Sequence, residues 1–294
     1  MAITAGQVKE LREKTGVGMM ECKKALSESD GEMEKAVLWL RERGMSRAQK
    51  KAGRVTAEGL VGMLLNDNQT AGVVLEVNCE TDFVSKNDDF KKFVADAAKL
   101  ALDNKVTDVK ELGSIAMASG KSVADTLTDM IATIGENLQL RRVACLQVDD
   151  GIVAGYIHMG GGIGTLVGLK GTKNEGLAKD LAMHIAAASP RYLTSDQVDV
   201  TELEQEKELA KKKLLEEGKP ENMIEKIMSG QMKKFYKEVC LIEQAFVKDP
   251  KSSIKQLLEA EGSASIAGFQ RFQLGEGIEK KSDNFADEVK SLTK

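Results

Sequence analysis

The sequence is poor in the side chains that most enzymes rely on. Its 294 residues include two His, one Trp, three Pro and four Cys, and aromatics make up only 4%. Two histidines cannot build a His-rich metal site. Only His158 and His184 are available as imidazole bases for a nucleophilic triad. Cys22, Cys79, Cys145 and Cys240 stand far apart, with no Cys-x-x-Cys pair and no zinc spacing. They read as reduced, mostly buried small hydrophobes of a cytosolic protein. The sequon Asn68-Gln69-Thr70 is then a chance match. Long apolar runs are missing as well: the strongest, Ala71 to Leu75, stops at Glu76, which excludes a membrane span. Lys9, Glu10, Arg12, Glu13 and Lys14 leave no apolar core for a signal peptide. The expectation is a cytoplasmic chain that needs no cofactor and no metal.

The net charge of −4 argues against nucleic-acid binding by bulk electrostatics. Residues 1–54 nevertheless hold 12 Lys and Arg against 8 Asp and Glu, a surplus of four positive charges. These charges alternate in sign along helical segments and have no aromatic platforms beside them. They read as a solvated face rather than an RNA patch.

Residues 1–54 have helical spacing. Val8 and Leu11 mark a first helix, stopped by Thr15-Gly-Val-Gly18, and a second runs from Met19 to about Ser27. Asp30 is expected to cap a third, with Met33, Ala36, Val37 and Leu40 on its inner side. A three-helix unit would close around Leu11, Met20, Leu26, Val37 and Leu40, and the basic stretch Arg47–Arg54 reads as a linker. From Glu58 the period changes. Gly59–Leu65, a polar turn and Ala71–Val77 predict a β-hairpin, followed by a helix over Asp89–Leu102 and more helix from Ser122 to about Glu136.

The pattern then returns. Gly59-Leu-Val aligns with Gly151-Ile-Val at an offset of 92, and Gly72-Val-Val-Leu falls on Gly164-Thr-Leu-Val at the same offset. The helix Phe90–Ala101 falls on Leu177–Ala188 at an offset of 87. The first copy therefore carries five extra residues, within Glu80–Lys86. Beyond it, Leu203, Ala210 and Leu214 on one arm, and Ile224, Ile227, Met228, Met232 and Phe235 on the other, predict an antiparallel helical hairpin over 198–236. The tail reads as an extended segment at Val239–Val247, a helix near Ser252–Glu261, a strand Ser265–Leu274, and a last helix capped by Ser282 or Asp283. The fold class is α+β. The domains are 1–54, 55–140, 141–275 with the hairpin inserted, and a helical module at 276–294.

Nucleotide motifs fail on inspection. Gly120-Lys121-Ser122 ends like a phosphate loop, but the required earlier glycine is Ile115. Gly160-Gly-Gly-Ile-Gly164 lies between two strands and reads as a hairpin turn. The acids Glu80 and Asp82, and the adjacent pair Asp149-Asp150, have no nucleophile arranged around them. His184 reads as a packed core residue; His158, beside the glycine turn, reads as accessible. Two features stand out. In the five-residue excess, Phe83 either plugs the adjacent helix or is presented with Asp82 as an aromatic wedge. In Thr15–Met20, Met20 is expected to pack inward and Met19 to offer an adaptable outer contact.

Thr15-Gly-Val-Gly-Met-Met-Glu-Cys-Lys-Lys-Ala-Leu26 and Glu76-Val-Asn-Cys-Glu-Thr-Asp-Phe-Val84 resemble the two signature segments of the bacterial elongation factor Ts family. Ile134-Gly-Glu-Asn137 through Arg141-Arg142, Ala182–Ala186 and Gly275-Glu-Gly-Ile278 resemble that family too, in order along the whole chain. The resemblance implies a guanine-nucleotide exchange factor for elongation factor Tu, with no covalent chemistry of its own. It also implies a ubiquitin-associated-like helical domain, a core of two related subdomains, and a helical hairpin that supports a homodimer or heterotetramer in some members. By resemblance, Thr81, Asp82, Phe83 and Val84 dislodge the partner's Mg²⁺. Arg12, Met19, Met20 and Lys23 would meet the GTPase domain, and Ile134, Gly135, His158 and the Val247–Lys248 region would add contacts. The alternative is a ribosome- or RNA-associated translation factor that uses the basic amino-terminal region.

Overall fold

A computed structural model describes residues 3–262 and 264–279. The expected last helix, and with it most of the 276–294 module, lies outside these residues. The fold is α+β. Its chain divides into two compact units: residues through Gly62 with Leu75–Val143 and the segment from Gln273, and Met63–Val74 with Ala144–Phe272.

The first unit opens with α1 (Ala5–Thr15), whose start is fixed by a capping box. The Gln7 amide donates to Thr4 Oγ1 (3.3 Å) and the Thr4 amide donates to Gln7 Oε1 (3.0 Å). Helix α2 (Met19–Glu28) and α3 (Met33–Lys51) follow. The small core between them is Val8, Leu11, Cys22, Ala25, Leu26, Ala36 and Leu40. Two expected core members are outside it: Met20 is 77% exposed and Val37 is 37% exposed. Cys22 and Ala25 take the inward positions on α2, because the helix starts at Met19 and its first turn faces solvent. Helix α3 differs at both ends from the sequence expectation. Asp30 sits in a left-handed turn (φ 50°), and Glu32 holds the N-cap. At the other end, Arg47–Lys51 is the last part of α3 and not a linker: these are good helix formers, and the turn comes only after them.

The hairpin β1 (Glu58–Leu65) and β2 (Ala71–Cys79) has the expected limits to within two residues. A single helical turn, α4 (Asp82–Ser85), interrupts the path into α5 (Asp88–Asn104). Then come α6 (Val109–Ser114), α7 (Val123–Ile134) and β3 (Leu138–Gln147), with sheet order β1-β2-β3. Strand β3 has no clear signature in the sequence, because Arg141-Arg142 breaks its apolar alternation. Those arginines are spent on a buried carboxylate of β2. Glu76, fully buried, accepts from Arg141 Nη1 (3.0 Å), Arg142 Nε (2.5 Å), Asn78 Nδ2 (3.0 Å) and the Gly275 amide (2.9 Å). Burial alone would push the Glu76 carboxyl up. The Gly275 and Asn78 bonds and the Arg142 guanidinium outweigh burial and hold it below its ordinary value.

The second unit contains β4 (Gly151–His158) and β5 (Ile163–Lys170), paired antiparallel from Gly151↔Lys170 to His158↔Ile163, and α8 (Glu175–Ala188). Helices α9 (Val200–Glu216) and α10 (Glu221–Val239) pack on each other across the turn 217–220. Ala210, Leu214, Ile224, Met232 and Phe235 are buried, as their spacing predicts. The segment after α10 is less extended than expected: a 3-10 turn over Leu241–Glu243 precedes short strands β6 (Ala245–Phe246) and β7 (Asp249–Ser253). Helix α11 (Ile254–Ala260) and β8 (Ser265–Gln273) complete it, and the sheet order is β4-β5-β8. Its core includes Ile152, Val167, Leu169, Leu181, Ile185 and Ile254.

The order strand, turn, strand, helix thus occurs twice, and details recur at the sequence offsets. Gly59 (φ 136°) and Gly151 (φ 156°) open the two hairpins. A Cβ at either would lie 2.1 Å from the Val77 carbonyl oxygen or 1.8 Å from that of Leu169. Only glycine fits there. Asn87 caps α5, accepting from the Asp89 (2.8 Å) and Phe90 (3.2 Å) amides, and Asn174 caps α8, accepting from Leu177 (3.0 Å).

Candidate functional site

The extra residues of the first copy build the most distinctive surface of the first unit. Four residues make one helical turn, too short to hold itself together. It is held from both sides. Val84 is buried and anchors the turn to the unit. At the other end Thr81, the N-cap, has every polar group engaged. Its amide donates to Glu136 Oε2 (2.9 Å), its hydroxyl donates to Glu136 Oε1 (2.6 Å), and its carbonyl accepts from Cys79 Sγ (3.0 Å). Burial pushes the Cys79 thiol up to about 12, so it stays protonated and remains a donor. Between these anchors Phe83 is 80% exposed. It does not fold back as a plug.

Asp82 beside it is exposed and accepts from Lys86 Nζ at 2.6 Å; that hydrogen bond holds its carboxyl below the usual range. The same ammonium lies 5.9 Å from the Phe83 ring centroid. The turn therefore offers a bare aromatic ring flanked by a carboxylate and an ammonium. Such a surface can wedge, repel or exchange ion partners.

Glu80, next to Thr81, mirrors Glu136. Its Oε1 accepts the Asn137 amide (2.6 Å) while Glu136 accepts the Thr81 amide, so two adjacent pairs are cross-bonded. The pairing also reaches the end of α3. Asn137 Nδ2 donates to the Arg54 carbonyl (3.0 Å), Arg54 Nη1 lies 3.4 Å from Glu80 Oε1, and Lys51 Nζ donates to the Gly135 carbonyl.

The other expected contact residues fall in separate places. Arg12, Met19, Met20 and Lys23 are all exposed, on α1 and the first turns of α2. Met19 is 47% exposed, so both methionines face out. Ile134 ends α7 half-buried, and Gly135 is its exposed left-handed C-cap (φ 89°). These two lie next to the Glu136–Asn137 bonds and are brought to the base of the turn. His158 and Val247 belong to the second unit. His158 is exposed, with Nδ1 3.0 Å from Tyr156 Oη. Val247 is 45% exposed, and its amide donates to Nδ1 of the fully buried His184 (3.3 Å). His184 Nε2 then donates to Gln244 Oε1 (2.9 Å), and burial keeps the ring neutral by lowering its pKa. Lys248 pairs with Asp180 at 2.6 Å.

Sequence reasoning weighs Glu80 only as an acid paired with Asp82 and gives Cys79, Glu136 and Asn137 no role, although all four stand in the segments that carry the resemblance. A readable signal was present: Glu136-Asn137 directly follows the glycine that ends α7. Among the described residues no cluster of three His, Cys, Asp or Glu is placed to hold a metal ion, and no helix is long and apolar enough to cross a membrane.

Fold and surface define a class: an α+β protein in which a hairpin-and-helix arrangement occurs twice and one occurrence presents an exposed aromatic turn. A family model described as "Elongation factor TS" matches residues 80–276. Elongation factor Ts of Magnetococcus marinus is 51% identical over 98% of this chain and 98% of its own length. The chain belongs to the elongation factor Ts family.

Proposed function

We propose that this chain is the guanine-nucleotide exchange factor for elongation factor Tu, acting in the cytoplasm during translation elongation. The observation that carries the reading is the 80% exposure of Phe83 on an inserted turn whose two ends are anchored. Among the described residues nothing buries the ring.

In this mechanism Thr81 and Val84 hold the turn while Phe83 and Asp82 enter the partner's nucleotide site. Mg²⁺ demands near-ideal octahedral geometry, with ligands at about 2.0–2.1 Å. A ring that shifts one ligand by a fraction of an ångström therefore weakens the ion, and with it the diphosphate. Asp82 can exchange Lys86 for a cation or donor of the partner. No side chain of this chain transfers a proton or forms a covalent bond, in keeping with its poverty in His. Arg12, Met19, Met20 and Lys23 give the amino-terminal helices a cationic and adaptable face for the GTPase domain. Ile134, Gly135, His158 and Val247 supply further contacts, and self-association is assigned to the α9–α10 hairpin. Linkage closes the account: a factor that lowers nucleotide affinity by some ratio is itself released by nucleotide in the same ratio.

The test is to load elongation factor Tu with fluorescent GDP, add this chain, and time the release. Acceleration of about tenfold or more, roughly 1.4 kcal/mol of barrier, is expected. An unchanged release rate at saturating chain would refute the reading.

A further inference from the structure

The bonds at the base of the exposed turn involve two carboxylates with no part in the mechanism so far. We propose that Glu80 and Glu136 are positioning residues, a crossed clasp that sets the direction in which Phe83 leaves the protein and ties it to the end of α3. The proposal rests on the reading of Phe83 as the exchange wedge.

The argument starts from what an exposed four-residue turn lacks. One turn of helix has too few internal bonds to fix its own orientation. Val84 secures one end by burial, but a single apolar anchor leaves rotation about it free. Thr81 removes that freedom, because its amide and hydroxyl both donate to the one Glu136 carboxylate, at 2.9 and 2.6 Å. Hydrogen bonds to a charged acceptor are short and stronger than neutral ones. Glu80 closes the reverse link by accepting the Asn137 amide at 2.6 Å. Each glutamate therefore accepts the amide of the residue that follows the other. Three hydrogen bonds thus join the two sides, and neither can pivot without breaking them. Residues 135–137 are bonded in turn to 51–54 through Lys51 with Gly135 and Asn137 with Arg54. Strain at the amino-terminal helices, which carry Met19, Met20 and Lys23, can thus reach the wedge through one hydrogen-bonded junction. Orientation is worth this much structure: a misplacement of about 1 Å in a reacting geometry can cost about a hundredfold in rate.

The experiment uses the full chain as Glu136→Ala, Glu136→Gln and Phe83→Ala. In Glu136→Gln, Oε1 can accept the Thr81 amide while Nε2 donates to the Thr81 hydroxyl, so both links survive with one reversed. Two quantities are measured: amide hydrogen exchange over residues 80–85 in the free chain, and GDP release across a range of chain concentrations. Glu136→Ala should speed the Thr81 amide about tenfold, the size expected for losing hydrogen bonds to a charge. It should also lower the maximal release rate about tenfold, with the half-maximal concentration held within about threefold. Glu136→Gln should keep both quantities within about threefold of the parent. Faster amides with an unchanged maximal rate would overturn the proposal, as would unchanged amides in Glu136→Ala. If Glu136→Ala fails to fold, Thr81→Val, which removes one donor, must show the same split at smaller amplitude; no change in either quantity contradicts the clasp. Slow release in Phe83→Ala with normal release in Glu136→Ala sinks this proposal alone. Full release in Phe83→Ala sinks the wedge reading together with it.

Discussion

The two passages from hairpin to helix share their ends and differ in the middle. In both, a glycine stands within the first two residues of the first strand with its would-be Cβ against the neighbouring carbonyl, and an asparagine caps the helix. Between β2 and the Asn87 cap the chain takes residues 80–86 and builds a helical turn; between β5 and the Asn174 cap it needs only residues 171–173. The short passage shows that the architecture does not require the long one. What the long one adds is an exposed phenylalanine and the polar clasp beneath it. The difference between repeats separates what folds the protein from what the protein presents.

The sharpest way to break this separation is to compare two phenylalanines seven positions apart. Phe90 is fully buried on α5, and Phe83 is 80% exposed. Phe90→Ala should cost about 3–5 kcal/mol in urea denaturation, the range for a core Phe deletion. Phe83→Ala should melt with the parent. A comparable loss in Phe83→Ala would mean that the turn belongs to the scaffold after all.

Glu76 gives the next largest effect, again at a point where the repeats differ, since Gly168 stands at its position in the second copy. Glu76→Ala would leave Arg141 and Arg142 without their buried acceptor. Both guanidinia retain some solvent contact, so the loss should be about 3 kcal/mol or less. Its pH signature has a definite sign. The native carboxyl lies below its ordinary value of 4.5, so its contribution is complete above that pH and fades as pH falls through the native value. Denaturation on either side of this window should show the parent losing more stability in acid than Glu76→Gln. Parallel losses would refute the assignment.

The smallest effect tests the shared ends. Asn87→Ala and Asn174→Ala each remove an N-cap and should each cost about 1 kcal/mol. Only Asn87→Ala, which borders the inserted turn, should also slow nucleotide release. Equal effects of both on release would erase the distinction between the passages.

Much of this was legible in the sequence, for physical reasons. Short apolar runs parted by a polar turn located β1 and β2, and their return at a fixed offset located β4, β5 and α8; β2 and β5 are buried on nearly every residue, which is why they read as continuous apolar runs. Helical spacing located α5 and the α9–α10 pair, because each buries one face. The five-residue excess placed the turn without any structure. Where reading failed, a tertiary partner had replaced the local signal. Strand β3 was hidden because its arginines satisfy Glu76, far away in sequence. Helix α3 runs through a basic stretch that reads as a linker, because the partners of its charges lie elsewhere in the chain: Arg47 pairs with Glu21 on α2 and Lys51 donates to the Gly135 carbonyl. Met20 looked like core because methionine usually is, yet Cys22 and Ala25 fill that space. Whether Phe83 pointed in or out could not be read at all; it depends on Val84 taking the buried position and on Glu136 reaching Thr81 from fifty-five residues away.

The central claim is that the ring of Phe83 acts on another protein and not on this one. The direct measurement is GDP release from elongation factor Tu by the parent and by Phe83→Ala at equal, saturating concentration, with both melting curves recorded. The account predicts a maximal rate reduced about tenfold or more in the variant, on unchanged melting. Equal release rates, or a drop in melting temperature that accompanies the slower rate, would contradict it.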